Sequence, residues 1–355
     1  MIKKILHLCS SSPITKSYIE FINKNFGSEN HFFVIFATSF AYEYPNNCLV
    51  MTREDAKFNY LKVLLMSNRA SKIILHGFFY NRFITRLLTI SPWNIKKCYW
   101  VIWGADLYDD IEQVGYTKTL KYKQFYFLKK WIIKRIPYFA TYLEYDYQLT
   151  IKHYNSKAKL IDCIMYPSNV FTPLDQDIKP KVSSNKELKI LLGNSASEAN
   201  NHEEIILLLA NIQTKAKFTV YCPLSYGSME HARKIKDLGR KMLGERFNPI
   251  ENFMQIDEYK SFLQSIDIAI FNHKRQEAMG NIINLLGMGK KIYISTMNYS
   301  LWNLCRKLKL NIYDLHELGH TLTNLNSSYL ESNTQIISSF FNYNTLLSQH
   351  SFLRQ

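Results

Sequence analysis

The chain has 355 residues, 47% of them hydrophobic, which suits two domains of common size and excludes a low-complexity or disordered chain. The longest apolar runs, such as residues 31–37, are far shorter than the roughly 18 residues of a membrane-spanning helix. The net charge of +15 indicates an anionic partner, so nucleic acid, anionic lipid and phosphorylated small molecules are the candidates.

The first nine residues combine a basic start with a short apolar run and Cys9, as lipoprotein signals do. The apolar run spans only about five residues, and Leu8 stands where a cleavage signal needs a small side chain. A first buried strand explains this segment better, so we expect the protein to stay in the cytoplasm.

The first half of the chain alternates apolar runs with amphipathic stretches. Residues 17–26 and 55–68 carry apolar side chains at three- and four-residue spacing, which predicts helices. This alternation predicts a mostly parallel sheet with helices on both faces. The predicted strands are residues 3–9, 31–37, 72–78, 98–104, 138–143 and 158–166.

The pattern lapses between residues 166 and 187, where prolines and small polar residues predict a linker. It then resumes, with predicted strands at 188–195, 216–224, 267–273 and 290–295. The fold class is therefore α/β, with two doubly wound, Rossmann-like domains facing a ligand-binding cleft. We expect an N-terminal domain over 1–170, a C-terminal domain over 187–330, and a C-terminal helix over 331–355 that packs back on the first domain.

The loop after the strand at 188–192 has the character of an anion site. Residues 193–195 read Gly-Asn-Ser, and a helix is predicted to open near Asn200 with His202 in its first turn. The glycine allows close backbone approach, and a helix start offers free N–H groups to phosphate. The alternative is an ordinary strand-to-helix turn with Asn200 as the N-cap, since Glu203 and Glu204 could interact with the positive end of the helix dipole without any ligand.

A second loop of this kind follows the predicted strand that ends at Asn272. Residues 273–277 are polar and basic, and Gly280 and Asn281 begin a helix. Arg275 offers a bidentate fork to phosphate, which suits a nucleotide diphosphate. A solvated charged loop is the alternative.

Two predicted strands of the first domain end in residues that could accept a proton. His76 ends "KIILH", and Asp106 follows "YWVIWGA". A carboxylate or imidazole at a strand end can act as a general base. Asp106 could instead cap the following helix, and His76 could instead form a hydrogen bond to the backbone.

The segment 116–139 packs cations among Tyr, Phe and Trp, which favours an anionic membrane surface. Nucleic acid and a plain solvated face are the alternatives, and no nucleic-acid-binding motif accompanies the segment. The residues predicted to bind the membrane are Lys121, Lys123, Lys129, Lys130, Trp131, Lys134 and Arg135.

Four stretches carry a family resemblance: "HGFFYNRFITRLL", "WVIWGADLYDD", "GNSASEANNHEE" and "KRQEAMGNIINLLGMG". They resemble motifs of the TDP-N-acetylfucosamine:lipid II N-acetylfucosaminyltransferases, glycosyltransferase family 56, in order from about Ile5 to Ser295. The resemblance implies a GT-B fold and transfer of a 4-acetamido-4,6-dideoxyhexose, such as N-acetylfucosamine, from a dTDP-sugar. The implied acceptor is an undecaprenyl-diphosphate-linked glycan of enterobacterial common antigen or O-antigen type, at the cytoplasmic face of the bacterial inner membrane.

The resemblance also places donor-binding residues on this sequence. The uncharged "CSSSP" after the first strand and Glu277 depart from the family pattern. No acidic or His/Cys cluster has metal-ligand spacing, so we expect a metal-independent enzyme without a cofactor. The donor-binding residues are Gly193, Asn194, Ser195, Asn200, His202, Tyr226, Gly227, Arg275, Gln276, Gly280 and Asn281.

Other functions stay open at this point. A GT-B epimerase or hydrolase, a transferase using another nucleotide sugar, and a basic nucleic-acid-binding protein are the alternatives. We expect as partners a nucleotide-sugar donor, a polyprenyl-diphosphate-linked glycan and an anionic membrane surface, but no nucleic acid.

Overall fold

The computed structural model of the protein describes residues 4–38, 42–112, 119–173, 187–323 and 327–354. These residues fall into two compact units. The first unit comprises residues 1–169 and 343–355, and the second comprises residues 170–342. Part of the predicted linker, residues 174–186, lies outside the described residues.

The first unit is built on a parallel sheet with strand order β3-β2-β1-β4-β5-β6-β7. β1 is an interior strand, because Ile5 pairs with His31 on one side and Lys72 on the other. The core on one sheet face includes the fully buried Trp100 and Phe139. The strands are β1 (Ile5–Ser10), β2 (His31–Phe36), β3 (Cys48–Met51), β4 (Lys72–His76), β5 (Cys98–Val101), β6 (Tyr138–Ala140) and β7 (Lys159–Ile161).

The helices of the first unit follow the strands in the alternation that the sequence predicts. Several have clear start signals: Ser12 caps the first helix and Asn81 caps the third through side-chain acceptors. The helices are α1 (Pro13–Ile22), α2 (Asp55–Arg69), α3 (Arg82–Ile90), α4 (Ala105–Glu112), α5 (Leu120–Ile133) and α6 (Glu144–Tyr154).

The second unit repeats this architecture with strand order β10-β9-β8-β11-β12-β13, all parallel. Its strands are β8 (Leu188–Leu192), β9 (Phe218–Pro223), β10 (Phe247–Ile250), β11 (Ile268–Phe271), β12 (Lys291–Ile294) and β13 (Tyr313–Asp314). Its helices are α7 (His202–Asn211), α8 (Met229–Leu243), α9 (Ile256–Ser265), α10 (Met279–Gly287), α11 (Tyr299–Leu308), α12 (Leu318–Thr321) and α13 (Ser327–Phe340). The prediction of two doubly wound, Rossmann-like units is confirmed.

The C-terminal segment differs from the single helix expected over 331–355. α13 packs against α10 in the second unit, whereas α14 (Tyr343–Gln349) belongs to the first unit. Gln349 Oε1 accepts a hydrogen bond from Ile164 N, and Lys72 Nζ donates to the Phe352 carbonyl at 2.6 Å. The chain therefore returns to the first unit after completing the second.

Candidate functional site

The carboxyl edge of the second sheet collects the predicted donor-binding residues. β8 pairs with β9 on one side and with β11 on the other, so the strand order reverses beside β8. Ligands of open parallel sheets bind at such a switch point. The loops after β8, β9 and β11 meet at this edge, and we call them the edge loops (193–201, 224–228 and 272–278).

Gly193 is required by packing within the edge loops. It adopts φ +67°, and its N–H donates to the Ile270 carbonyl at 3.0 Å. A Cβ atom here would lie 2.4 Å from Asn200 Oδ1 and 2.8 Å from His202 Nε2. The sequence predicts a glycine open to phosphate, whereas the structure places two side chains directly against it.

Asn200 joins two of the edge loops instead of capping a helix. It is fully buried, and its Oδ1 accepts from Asn194 N at 2.9 Å and from His273 Nε2 at 2.8 Å. Because Oδ1 is an acceptor, the His273 proton is on Nε2 and Nδ1 carries a lone pair. α7 begins at His202 with Asn201 in the left-handed region as its N-cap, so the alternative in which Asn200 caps this helix is wrong.

His202 is buried at the start of α7. Its Nδ1 lies 3.3 Å from His231 Nε2, and burial lowers the pKa of His202 to about 3. The neighbouring His273 is shifted in the same way, to a pKa of about 3, mainly by burial. Both imidazoles are therefore neutral near neutral pH and act as hydrogen-bonding groups, not as cations.

Tyr226 and Gly227 bind the loop after β9 to the loop after β8. The Tyr226 hydroxyl accepts from Asn194 Nδ2 at 3.0 Å, and the Tyr226 side chain is 53% exposed. Gly227, at φ +113°, leaves no room for a Cβ, which would lie 2.7 Å from the Ala196 backbone. Tyr226 thus offers an exposed aromatic face beside residues 193–195.

Four buried polar atoms, three in the edge loops and one on His202 at the start of α7, have no hydrogen-bond partner within the part of the chain that the structure describes. Buried polar groups are almost always satisfied, so such a set in one place calls for an explanation. Three of them are acceptors, which suit the hydroxyl and N–H groups of a sugar or a base, whereas the fourth, His202 Nε2, donates or accepts according to its tautomer. The atoms are Asn194 Oδ1, His202 Nε2, His273 Nδ1 and Gln276 Oε1.

The start of α10 differs from the start of α7 in charge. Ala278 precedes α10 in the left-handed region without a side-chain cap, and its first turn holds no acidic residue. Arg275 Nε lies 3.8 Å from Glu277 just before the helix. The first-turn N–H groups of an uncapped helix are suited to an anion.

Asn281, in the first turn of α10, hydrogen-bonds to Tyr259, while burial raises the pKa of that phenol. The sequence pattern does not distinguish Tyr259 or His273 as site residues. Tyr259 comes from α9, remote in sequence, and His273 differs from other strand-end residues only through its contact with Asn200.

Asp106 holds two loops of the first unit together. It is 2% exposed, and its Oδ2 accepts from Phe78 N and Trp100 Nε1, both at 2.8 Å. Its Oδ1 accepts from Trp103 N at 3.0 Å. Burial raises its pKa, while the charge of Lys129 opposes that shift. None of these three donors belongs to α4, so Asp106 does not cap that helix. Its contacts give it a structural role that joins the segments after β4 and β5.

His76 belongs to a buried chain of rings in the first unit. His76 Nε2 lies 3.0 Å from His7 Nδ1, and His7 Nε2 lies 2.9 Å from His31 Nδ1. On its other side His76 Nδ1 lies 2.7 Å from the Tyr166 hydroxyl, to which Trp103 Nε1 donates. Burial lowers the pKa of His76 to about 3, so its imidazole is neutral near neutral pH. Its catalytic role stays a prediction.

α5 presents most of its predicted cations to solvent, but Lys129 is an exception. Lys129 is buried, with its Nζ 2.5 Å from Asp110 Oδ2 and 2.8 Å from the Asp106 carbonyl. The prediction that Lys129 faces a membrane is therefore wrong. Trp131 is half-buried under the Arg135 guanidinium, and the exposed cations are Lys121, Lys123, Lys130, Lys134 and Arg135.

A family model described as 4-alpha-L-fucosyltransferase glycosyl transferase group 56 matches residues 3–354. The chain belongs to this family. The group 56 chain is therefore a glycosyltransferase, and the expected family and enzyme class are confirmed.

Solved structures of other glycosyltransferases share the fold of the group 56 chain. WaaG, a glycosyltransferase involved in lipopolysaccharide biosynthesis, matches with a TM-score of 0.66 at 10% identity over 98% of both chains. HepE of Anabaena in complex with UDP-glucose matches with a TM-score of 0.68 at 12% identity over 98% of both chains. Sucrose-phosphate synthase of Thermosynechococcus elongatus gives 0.66 at 12% identity, covering 99% of this chain and 98% of that one. The expected GT-B fold is confirmed.

Proposed function

We propose that the group 56 chain binds its nucleotide-sugar donor at the edge loops of the second unit. The set of buried, unpaired polar atoms there carries the proposal, because three of the four are acceptors that need the hydroxyl and N–H groups that such a donor supplies. HepE, a structure of the same fold, is in complex with UDP-glucose. Tyr226 offers an exposed ring on which a sugar or base can stack.

The donor diphosphate is proposed to lie at the start of α10. Gly280 and Asn281 supply first-turn N–H groups, and Arg275 supplies the cation. α7 suits an anion less well, because Glu203 and Glu204 occupy its first turn. Residues 193–195 then face the uncharged part of the donor.

The donor and acceptor are proposed from the family resemblance. The donor is a dTDP-linked 4-acetamido-4,6-dideoxyhexose such as N-acetylfucosamine, and the acceptor is an undecaprenyl-diphosphate-linked glycan of a surface polysaccharide. The exposed cations of α5 support a site of action at the cytoplasmic face of an anionic inner membrane. Within the described ranges, no helix has the length and apolar character that crossing a bilayer demands.

A reconstituted assay tests this function. The protein, the dTDP-sugar and the lipid-linked acceptor together should release dTDP and lengthen the glycan by one sugar, measured by mass spectrometry. Donor turnover without acceptor would favour a hydrolase or epimerase. An absence of turnover with every nucleotide sugar tried would contradict the proposal.

Arg275→Gln should weaken dTDP binding by about 10- to 100-fold, because a hydrogen bond to a charged group contributes about 1.5–3 kcal/mol. Titration calorimetry with dTDP measures the change. Lys274→Gln is the matched control, since Lys274 is the exposed neighbour and should change the affinity less than about threefold. Equal losses in both variants would show a general charge effect and not a diphosphate contact.

Gly193→Ala should lower both the stability and the donor affinity. An alanine in this left-handed backbone conformation lowers the free energy of unfolding by about 1 kcal/mol. Its Cβ also displaces the side chains of Asn200 and His202. Gly244→Ala is the control, because Gly244 has φ +58° but no atom within 4 Å of its Cβ position. Thermal unfolding and dTDP titration should show a stability loss in both variants and an affinity loss in Gly193→Ala alone.

A further inference from the structure

α2 turns large apolar side chains outward. Phe58, Leu61 and Leu65 are 88%, 64% and 47% exposed, whereas Val63 and Ser67 of the same helix are buried. The three exposed residues are spaced by three and four positions, so they share one face of the helix. A surface helix ordinarily presents polar groups to solvent, so this face is unusual.

Trp93 extends this face beyond the end of α2. Its side chain is 56% exposed, and its Nε1 donates to Asn68 Oδ1 at 2.9 Å. Asn68 lies three residues after Leu65 and therefore continues the same face. We name Phe58, Leu61, Leu65 and Trp93 together the α2 stripe.

Cations border the α2 stripe. Lys57, Lys62 and Arg69 are exposed on α2 itself. On the neighbouring α3, the Arg86 guanidinium lies 4.9 Å from the centre of the Tyr60 ring, which places its charge beside α2. Among residues 53–69, 82–90 and 92–97, all described, the cations are Arg53, Lys57, Lys62, Arg69, Arg82, Arg86, Lys96 and Lys97, against the two acids Glu54 and Asp55.

We propose that the α2 stripe docks the first unit on an anionic phospholipid bilayer. The four apolar side chains enter at headgroup level, and Lys57, Lys62 and Arg69 lie against lipid phosphates. A Trp at the rim of an apolar face suits the membrane–water interface, where the ring is buried and its N–H stays hydrogen-bonded. This inference deepens the proposed function, because it rests on the acceptor being lipid-linked.

α5 contributes charge to this docking and a smaller apolar surface than the α2 stripe. Its exposed large apolar residues are Leu120 and Phe127, and Ile132 and Ile133 point into the core. Leu120 and Phe127 add two exposed apolar side chains at α5, whereas the α2 stripe has four. The α2 stripe therefore supplies the larger apolar surface for insertion, and α5 supplies mainly charge.

A second copy of the chain fits the α2 stripe less well than a bilayer does. A symmetric contact places the same patch on both partners, so the bordering cations of one copy would face those of the other. Like charges brought together in this way oppose association. An anionic surface neutralises them instead.

Vesicle sedimentation tests the α2 stripe. Phe58→Ser/Leu61→Ser/Leu65→Ser should lower the partition coefficient onto phosphatidylglycerol-containing vesicles about 100-fold. The reason is that moving each apolar side chain from water into the bilayer interface contributes favourable free energy to binding. Its thermal unfolding should be unchanged, because the three side chains are exposed. The matched control is Leu207→Ser/Leu208→Ser on α7, at 43% and 42% exposure, which should bind vesicles like the unmodified protein.

Separate readouts distinguish a failure of docking from a failure of the proposed function. Loss of vesicle binding in the triple variant, with turnover of a detergent-dispersed acceptor retained, supports the inference. The same loss in a protein that shows no transferase activity still supports docking, although the proposed function then falls. Full vesicle binding by the triple variant overturns the inference. It is also overturned if the unmodified protein is a dimer and the triple variant a monomer that binds vesicles equally well, because the stripe is then a contact between two copies.

Discussion

Asp106→Asn is expected to lower the free energy of unfolding by about 3 kcal/mol, although it preserves the shape of the side chain. The carboxylate accepts three hydrogen bonds, from Phe78 N, Trp100 Nε1 and Trp103 N. An amide has only one oxygen, so its NH₂ group must face at least one buried donor. Urea unfolding measures the loss as a lower midpoint at an unchanged m value.

Asp237→Asn is the control for this prediction, because Asp237 is exposed on α8. It should leave the midpoint unchanged. Turnover separates the two roles considered for Asp106. A loss of at least about 100-fold in turnover at unchanged stability would restore the general-base assignment and contradict the structural one.

Mild acid is expected to destabilise the first unit. Burial lowers the pKa of His76 to about 3 and those of His31 and His350 to about 4, and it holds the pKa of His7 well below the ordinary 6.5. The unfolded chain therefore binds more protons than the folded one at any pH between the lowered pKa values and the ordinary 6.5. The stability is therefore complete above about pH 6.5 and falls as the pH falls.

The expected size is about 1 kcal/mol per histidine between pH 6.5 and 5.5, hence on the order of 4 kcal/mol for the four. That is a large share of the roughly 5–15 kcal/mol of a typical protein. Asp106 acts in the opposite sense, since burial raises its pKa, but one carboxyl opposes four imidazoles.

Unfolding free energies measured across this pH range give the proton uptake. His316→Asn, which removes an exposed imidazole, is the control for the loss of a surface histidine. An uptake of fewer than about one proton on unfolding would contradict the prediction.

The fold was largely predictable because buried parallel strands and amphipathic helices leave strong local patterns. The exceptions are β3, β10 and β13, which are short and lie at the edges of their sheets. β10 contains Pro249, which a strand tolerates only where no ladder hydrogen bond is needed. Such strands depend on their neighbours more than on their own sequence.

The candidate site was predictable in position but not in contacts. Strand ends identified residues 193–195 and Arg275, whereas the burial of Asn200 and His202 against Gly193 depends on residues brought together by folding. The same holds for Lys129, which shares a helix face with the buried Phe125 and Ile132 and needs a distant acid, Asp110. Periodicity also predicted α2, but not which of its apolar residues would face outward.

The return of the chain to the first unit has a consequence for biosynthesis. The ribosome releases residues 170–342 before α14, so the second unit can close its core while the first still lacks its last helix. Until then His350 and Gln349 cannot cover Cys163 and Ile164. A nascent chain stopped before Tyr343 would carry a finished second unit on an unfinished first one, open to chaperones and proteases at that spot.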